Sequence, residues 1–177
     1  MNANDYVIHR LTYSIKWLKI KPEAIIPSKR NEDAGFDLYT TDEEVILKPH
    51  ETKFFNTGLA SVFDEMLVGI IKERGSTGKL GLSVRSGVID SGYRGEWKIT
   101  ITNLNDYPVV FKKSNKVEFQ YKLGGRKVKR LIYPINKAIA QVIFWNLPSV
   151  KSEEINEDEF RTCVSERGDS GWGASGK

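Results

Sequence analysis

The chain is 177 residues long, 40% hydrophobic and 28% charged, with a net charge of +4, the proportions of an ordinary soluble domain that buries roughly 70% of its unfolded surface. Its apolar runs stop far short of the ~18 residues that a membrane-crossing helix needs, so no membrane role is expected. The first residues, with Asp5, His9 and Arg10, lack the apolar core and cleavage site of a secretory leader. The one cysteine, Cys163, excludes an internal disulfide framework, has no histidine near it in sequence to activate it, and fits a reducing cytoplasm.

Strand signals dominate from the N-terminus onward. Short runs rich in β-branched residues recur at Glu44-Val-Ile-Leu-Lys48, Met66-Leu-Val-Gly-Ile-Ile71, Trp97-Lys-Ile-Thr-Ile-Thr102 and Ala138-Ile-Ala-Gln-Val-Ile-Phe144, with turn residues between them. A single helical turn fits residues 62–66, and no helical period lasts three turns. Residues 116–133 read as a hairpin about Gly124-Gly125, with Val117, Phe119 and Tyr121 alternating with polar neighbours as in a half-exposed strand. Many short strands with frequent turns predict an all-β sandwich, jelly roll or barrel.

Charge is distributed unevenly. Residues 112–137 hold nine Lys and Arg against one Glu, and residues 151–160 hold five acids against one Lys. The basic stretch reads as a solvated hairpin face rather than a nucleic-acid groove. After Pro148 the composition changes to an acidic spacer and then a glycine-rich tail. The expected division is therefore a β domain over residues 1–150 and a spacer with a C-terminal arm over 151–177.

Two blocks carry chemistry. Gly87-Val-Ile-Asp-Ser-Gly-Tyr-Arg-Gly-Glu96 seats Asp90 and Tyr93 three residues apart among glycines and strand formers, which suits a carboxylate base and an aromatic platform held on a hairpin. Arg167-Gly-Asp-Ser-Gly-Trp-Gly-Ala-Ser-Gly176 combines one arginine, many backbone amides and one large aromatic, a composition suited to closing over a phosphorylated ligand with a flat base. Together they point to an enzyme acting on a nucleotide.

With Ala34-Gly-Phe-Asp-Leu38, Glu73-Arg-Gly-Ser-Thr-Gly78 and Ile139-Ala-Gln141, these blocks make five in a fixed order, and in that order the chain resembles the trimeric dUTPases. The resemblance runs from about residue 17 to 177 and excludes the basic hairpin. It implies a homotrimer of jelly-roll-like (β-clip) subunits that hydrolyses dUTP to dUMP and pyrophosphate with Mg²⁺, at sites shared between chains. Asp90 then orients the attacking water, and Tyr93 packs on the deoxyribose where a ribose hydroxyl would sit. Gly87 and the backbone near Lys98 read uracil. Asp37 helps hold Mg²⁺ through water, and Arg74, Gly75, Ser76 and Gln141 lie along the phosphates. In the arm, Arg167 meets the γ-phosphate, Trp172 stacks on uracil, and Gly173, Ala174 and Ser175 offer donors.

The chain departs from the usual pattern at four places. Gly75 comes between Arg74 and Ser76, leaving open whether Gly75 or Ser76 supplies the phosphate donor. Ala138 stands where an arginine is common, Trp172 replaces a Phe, and Ala174 replaces a serine. dCTP deaminases share this fold but need a glutamate in the strand after the hairpin, and Ile99-Thr-Ile-Thr-Asn103 has no acid. Some phage-borne relatives carry an insert between the third and fourth blocks that engages a regulatory protein. The basic hairpin, residues 112–135, occupies that interval and is a candidate docking surface.

Overall fold

Alternation of β-branched and polar residues, cut by turns every few positions, produces short strands that must pack sheet against sheet to bury one face each. The structure, a computed structural model, describes residues 12–85, 87–121, 129–165 and 168. The fold is all-β and jelly-roll-like, as expected. The chain divides into two compact units, residues 1–147 and 148–177.

The first unit contains β1 (Lys16–Lys19), β2 (Phe36–Leu38), β3 (Val45–Leu47), β4 (Thr52–Asn56), β5 (Leu59–Val62) and β6 (Leu67–Lys72). A one-turn helix α1 (Gly75–Gly78) follows, then β7 (Leu82–Arg85), β8 (Val88–Ile89), β9 (Lys98–Asn103), β10 (Val109–Lys112), β11 (Glu118–Tyr121), β12 (Lys129–Pro134) and β13 (Ala140–Asn146). They form four sheets with the orders β1-β5, β11-β12-β10-β3, β2-β13-β6-β8 and β4-β9-β7. All pairs are antiparallel except β10 with β12.

The core is aromatic and aliphatic. Trp97, Phe55, Phe111 and Tyr133 are its largest fully buried side chains. Phe55 meets Phe111 edge-on at 4.7 Å, and Trp17 meets Trp97 at 4.8 Å, the geometry that aromatic quadrupoles prefer. Burial of each such ring contributes about 1.5–3 kcal/mol. Trp97 also donates its indole N–H to Ser61 at 3.1 Å, so the core leaves no polar tip stranded there.

Two local expectations are corrected. Residues 62–66 form no helical turn: Asp64 accepts from the Met66 N–H at 2.8 Å through its carboxylate, which closes a tight turn before β6. In the basic hairpin, β11 pairs with β12 in the register Tyr121↔Lys129, and the Gly-Gly turn lies outside the described residues. Val117 and Phe119 fall on its exposed side, while Glu118 and Gln120 are half-buried. Phe119 gains its cover from Tyr107, edge-on at 5.6 Å, and from the Lys129 ammonium 4.5 Å from its ring.

In the second unit, α2 (Glu157–Thr162) is capped by Asn156, whose side chain accepts from the Glu159 N–H at 2.9 Å. Three acids in its first turn and Arg161 in its last complement the helix dipole. No helix among the described residues is long and apolar enough to cross a membrane.

Candidate active site

The sheet β2-β13-β6-β8 gathers the first group of site residues. On β2, Asp37 pairs in register with Gln141 on β13, and Gln141 in turn pairs with Lys72 at the end of β6. Cross-strand partners share a face, so the carboxylate and the amide stand side by side. Just beyond Lys72 the chain turns into α1, bringing Arg74, Gly75 and Ser76 to the same corner.

Arg74 is held from several sides. Its Nε donates to Asp37 Oδ1 at 2.8 Å and its Nη2 to Asp37 Oδ2 at 3.2 Å, a two-point ion pair with both side chains about a third exposed. Its Nη1 reaches Ser76 Oγ at 3.3 Å and the Ala138 carbonyl at 3.4 Å. Thr77 closes the turn beneath it, accepting from the Arg74 N–H at 3.1 Å. Gln141 donates to the Glu73 carbonyl at 2.9 Å and lies so tightly over Gly35 that a Cβ there would strike its side chain. This contact requires the glycine of Ala34-Gly-Phe-Asp-Leu38.

These residues line a polar cleft of about 720 Å³. Its opposite wall is a loop carrying Ser28, Lys29, Arg30 and Asp33, none of which the sequence reading singled out. The signal was available in the adjacent cations Lys29 and Arg30, just ahead of the Asp37 block. Arg30 forms its own two-point pair with Asp33, at 2.8 and 3.0 Å. That hydrogen bond holds the Asp33 carboxyl below the usual carboxylate range and raises Arg30 in turn. The cleft therefore presents three cations, two of them already matched to carboxylates.

The second group lies elsewhere on the same unit. Asp90 directly follows β8 and is exposed. Its carbonyl accepts from the Tyr93 N–H at 3.1 Å, closing the turn that aims both side chains outward. Tyr93 donates to the Glu96 carbonyl at 3.1 Å, and its ring lies against Gly95, where any Cβ would collide with it. Gly87 is required for a different reason: a Cβ there would overlap the Ile71 carbonyl, because Ile71 donates to Gly87 at 2.7 Å.

The segment that carries Asp90 and Tyr93 is not the β-hairpin expected, because β8 pairs with β6 while β9 pairs with β4 and β7; it is a hairpin-like loop between two sheets, stapled to the Thr57-Gly58 turn. Glu96 accepts from the Gly58 N–H at 2.8 Å, and the Trp97 carbonyl accepts from both the N–H and the hydroxyl of Thr57. Gly58 sits at φ +67, where a Cβ would also crowd Thr41. Lys98 opens β9 opposite Asn56, with its side chain exposed.

The structure brings Asp37, Arg74, Gly75, Ser76 and Gln141 together at one corner, and Gly87, Asp90, Tyr93 and Lys98 about the hairpin. Gly87 stands between the two, bonded to Ile71 three residues before Arg74, but the structure does not bring Asp90 to Asp37. Asp37 and Gln141 align with Lys72, whereas Asp90 follows Ile89, which aligns with Gly69. That offset along the strands, plus three strand spacings across the sheet, separates Asp37 from Asp90 by on the order of 20 Å. Arg167, Trp172, Gly173, Ala174 and Ser175 lie outside the described residues.

Comparison with known proteins identifies the family and the fold. The family model described as dUTPase matches residues 21–117. A deoxyuridine 5'-triphosphate nucleotidohydrolase of Clostridioides difficile is 35% identical over 170 residues, covering 93% of this chain and 99% of that protein. Among solved structures, the Staphylococcus bacteriophage 80alpha dUTPase with dUPNHPP superposes with a TM-score of 0.72 at 24% identity, covering 94% of this chain and all of that one. A mutant dUTPase from phage phi11 of S. aureus, with a structural Mg(II) ion, matches at 0.62 and 20% identity over 81% and 97% of the two chains. By its five ordered blocks, its fold and these relatives, the chain belongs to the dUTPase family.

Proposed function

We infer that the protein hydrolyses dUTP to dUMP and pyrophosphate, which keeps uracil out of DNA and supplies dUMP for thymidylate synthesis. The observation that carries the reading is the combination, in a dUTPase-family chain, of a cationic polar cleft with a rigidly stapled Asp90–Tyr93 hairpin. Measuring pyrophosphate release from dUTP against dTTP and UTP tests it. Rapid release from dUTP alone is expected, and equal release from dTTP would overturn it. Ammonia release from dCTP is not expected, since β9 (Lys98–Asn103) carries no acid.

The chemistry divides between the two groups. Phosphoryl transfer depends mainly on positioning and charge stabilisation. Arg74 and Gln141 hold the α- and β-phosphates in the cleft. Ser76 accepts from Arg74, so its own hydroxyl proton is free to be donated. Space beside Gly75 is open, leaving room for an oxygen to approach the backbone. Asp90 orients the water, and Tyr93 presents its ring to the deoxyribose, excluding a 2′-hydroxyl. The hairpin backbone near Gly87 and Lys98 reads uracil and rejects thymine by steric exclusion, because an unfilled methyl pocket discriminates by only ~1–3 kcal/mol. The assignments of Arg167 to the γ-phosphate, of Trp172 to uracil, and of Gly173, Ala174 and Ser175 as donors rest on the resemblance of the arm.

Mg²⁺ fits this cleft. Asp37 offers one carboxylate at its rim, and no group of three metal-ligating side chains exists among the described residues. That suits an ion which keeps several waters and binds largely through substrate phosphates. When bound, it would neutralise charge on the phosphate oxygens. Asp37 is paired with Arg74 here; with the ion bound, Asp37 would face the metal through water and Arg74 the phosphate.

A homotrimer accounts for the distance between the groups. The outer face of β2-β13-β6-β8 carries Val88 and Trp145, 65% and 62% exposed, with Ile70 and Ile143 between them. An apolar stripe of this kind marks a protein interface, and it leads along β13 to Gln141 and Asp37. A neighbouring chain seated there would bring its hairpin to this cleft. The single cysteine is consistent with a cytoplasmic location.

A second reading concerns β11, the outer strand of its sheet. Phe119 is 43% exposed under the Lys129 ammonium, a surface suited to an acidic regulatory protein. Phe119→Asp on this outer strand should abolish such binding in a pull-down while hydrolysis persists, whereas β12 beside it, with Leu131, Ile132 and Tyr133 buried, belongs to the core and has to stay.

A further inference from the structure

Behind Arg74 lies a side chain that none of the roles above uses. Tyr133 ends β12 at 1% exposure, its ring packed 5.3 Å from Phe111, and its hydroxyl donates to the Ala138 carbonyl at 2.8 Å. The same carbonyl accepts from Arg74 Nη1 at 3.4 Å. A carbonyl has two lone pairs, and here one is held by the core and the other by the cleft. The next residue is also fixed: the Ile139 N–H donates to the Leu38 carbonyl at 2.9 Å, beside Asp37. Ala138 is thus pinned between the Tyr133 hydroxyl and the strand that carries Arg74's carboxylate partner.

We propose that Tyr133 is a positioning residue for the phosphate site: through the Ala138 carbonyl it fixes where the Arg74 guanidinium stands in the cleft. The proposal rests on the reading of Arg74 as a phosphate ligand. Guanidinium placement matters because, apart from this carbonyl and the Tyr133 hydroxyl, which also stands against the Arg74 and Ser76 side chains, Arg74 is tied to Asp37 and Ser76, both partners it must share with metal and phosphate. Once Asp37 turns to the metal, the Ala138 carbonyl becomes the one fixed anchor of the three. A fully buried hydroxyl suits this task, since solvent does not compete for its hydrogen bond. Burial also pushes the Tyr133 hydroxyl above the ordinary tyrosine range against the pull of the Arg74 charge, so it stays a donor.

The test is Tyr133→Phe, which keeps the ring and its packing on Phe111 and removes one oxygen. Wild-type hydrolysis of dUTP checks the underlying reading separately. If that holds, kcat for Tyr133→Phe should fall about five- to twentyfold, because a small misplacement of a phosphate ligand degrades alignment. Competitive inhibition by deoxyuridine, which has no phosphate, should change less than twofold. A double-mutant cycle identifies the route: in an Arg74→Lys background, Tyr133→Phe should cost nothing further, since the fork that reads the carbonyl is already gone. An unchanged kcat, equal losses for dUTP turnover and deoxyuridine binding, or fully additive effects in the cycle would each overturn the proposal. Should the phenylalanine variant fold poorly, the cycle can be run with Tyr133→Met, a smaller, adaptable apolar side chain that likewise lacks the hydroxyl. The same additive or non-additive result then decides.

Discussion

At the scale of single residues, the site divides into groups that are restrained and groups that are free. Arg74 and Asp37 restrain each other in the cleft, while Asp90 stands exposed at the end of a short strand with only its backbone engaged. A carboxylate is a weak base, so in the role proposed for it Asp90 would hold the water in line and polarise it. Asp90→Asn keeps the shape and much of the hydrogen bonding but removes that charge. Turnover should fall by about a thousandfold or more, with analogue affinity nearly unchanged. A variant within about tenfold of wild type would remove Asp90 from the chemistry. Asp37→Asn acts on the other group. It releases Arg74 from its ion pair, so inorganic pyrophosphate should bind more tightly in the absence of metal while dependence of nucleotide binding on Mg²⁺ weakens. Calorimetric titration with and without Mg²⁺ measures both. Equal affinities for pyrophosphate in the two proteins would mean that the pair imposes no such competition.

At the scale of elements, the base-reading hairpin is rigid because of residues outside it. Glu96 accepts from Gly58, Trp97 anchors on Thr57, and the Trp97 indole is wholly buried. Glu96→Ala should therefore weaken discrimination of dUTP from dTTP several-fold, whereas Glu96→Gln, which keeps an acceptor oxygen, should retain it. Equal behaviour of the two variants would place rigidity elsewhere. Much of this level was legible in sequence. The short β-branched runs do form strands, though β9 and β12 are buried on both faces where alternation suggested one, and the block Ala34-Gly-Phe-Asp-Leu38 marks a glycine that the Gln141 side chain does demand. The face of β11 was not legible, because Phe119 is covered by Tyr107 and Lys129 from distant segments rather than by the sheet. Nor was the Tyr133–Ala138–Arg74 link, which joins three elements through a backbone carbonyl that has no sequence signature. The wall of Lys29 and Arg30 was readable as charge, but its place opposite Arg74 depends on tertiary packing. Within the arm, removal of residues 163–177 should leave the β domain folded, since that segment is too poor in apolar residues to be core, yet hydrolysis should drop sharply. Unfolding on truncation, or unchanged kcat, would exclude a closing role.

At the scale of the whole molecule, the distance between Asp37 and Asp90 is what the proposed trimer has to span. A separation on the order of 20 Å is too long for one nucleotide to be gripped by its phosphates at one end and attacked by a water at the other within a single chain. The apolar stripe from Val88 to Trp145 supplies the means of joining chains, so light scattering should give about 60 kDa, three times the 20.1 kDa chain. Val88→Asp together with Trp145→Asp should lower that mass and abolish hydrolysis together. Mass alone does not prove that chains share a site, and complementation does. Asp90→Asn and Arg74→Ala trimers are each expected to be inactive. After they are mixed, dissociated and reassembled, some sites combine an intact hairpin from one chain with an intact cleft from another. If each site takes its hairpin and its cleft from different chains, random assortment restores about a quarter of wild-type activity per site. If both groups served one site within a chain, every site would carry one defect or the other, and the mixture would stay inactive whatever its mass.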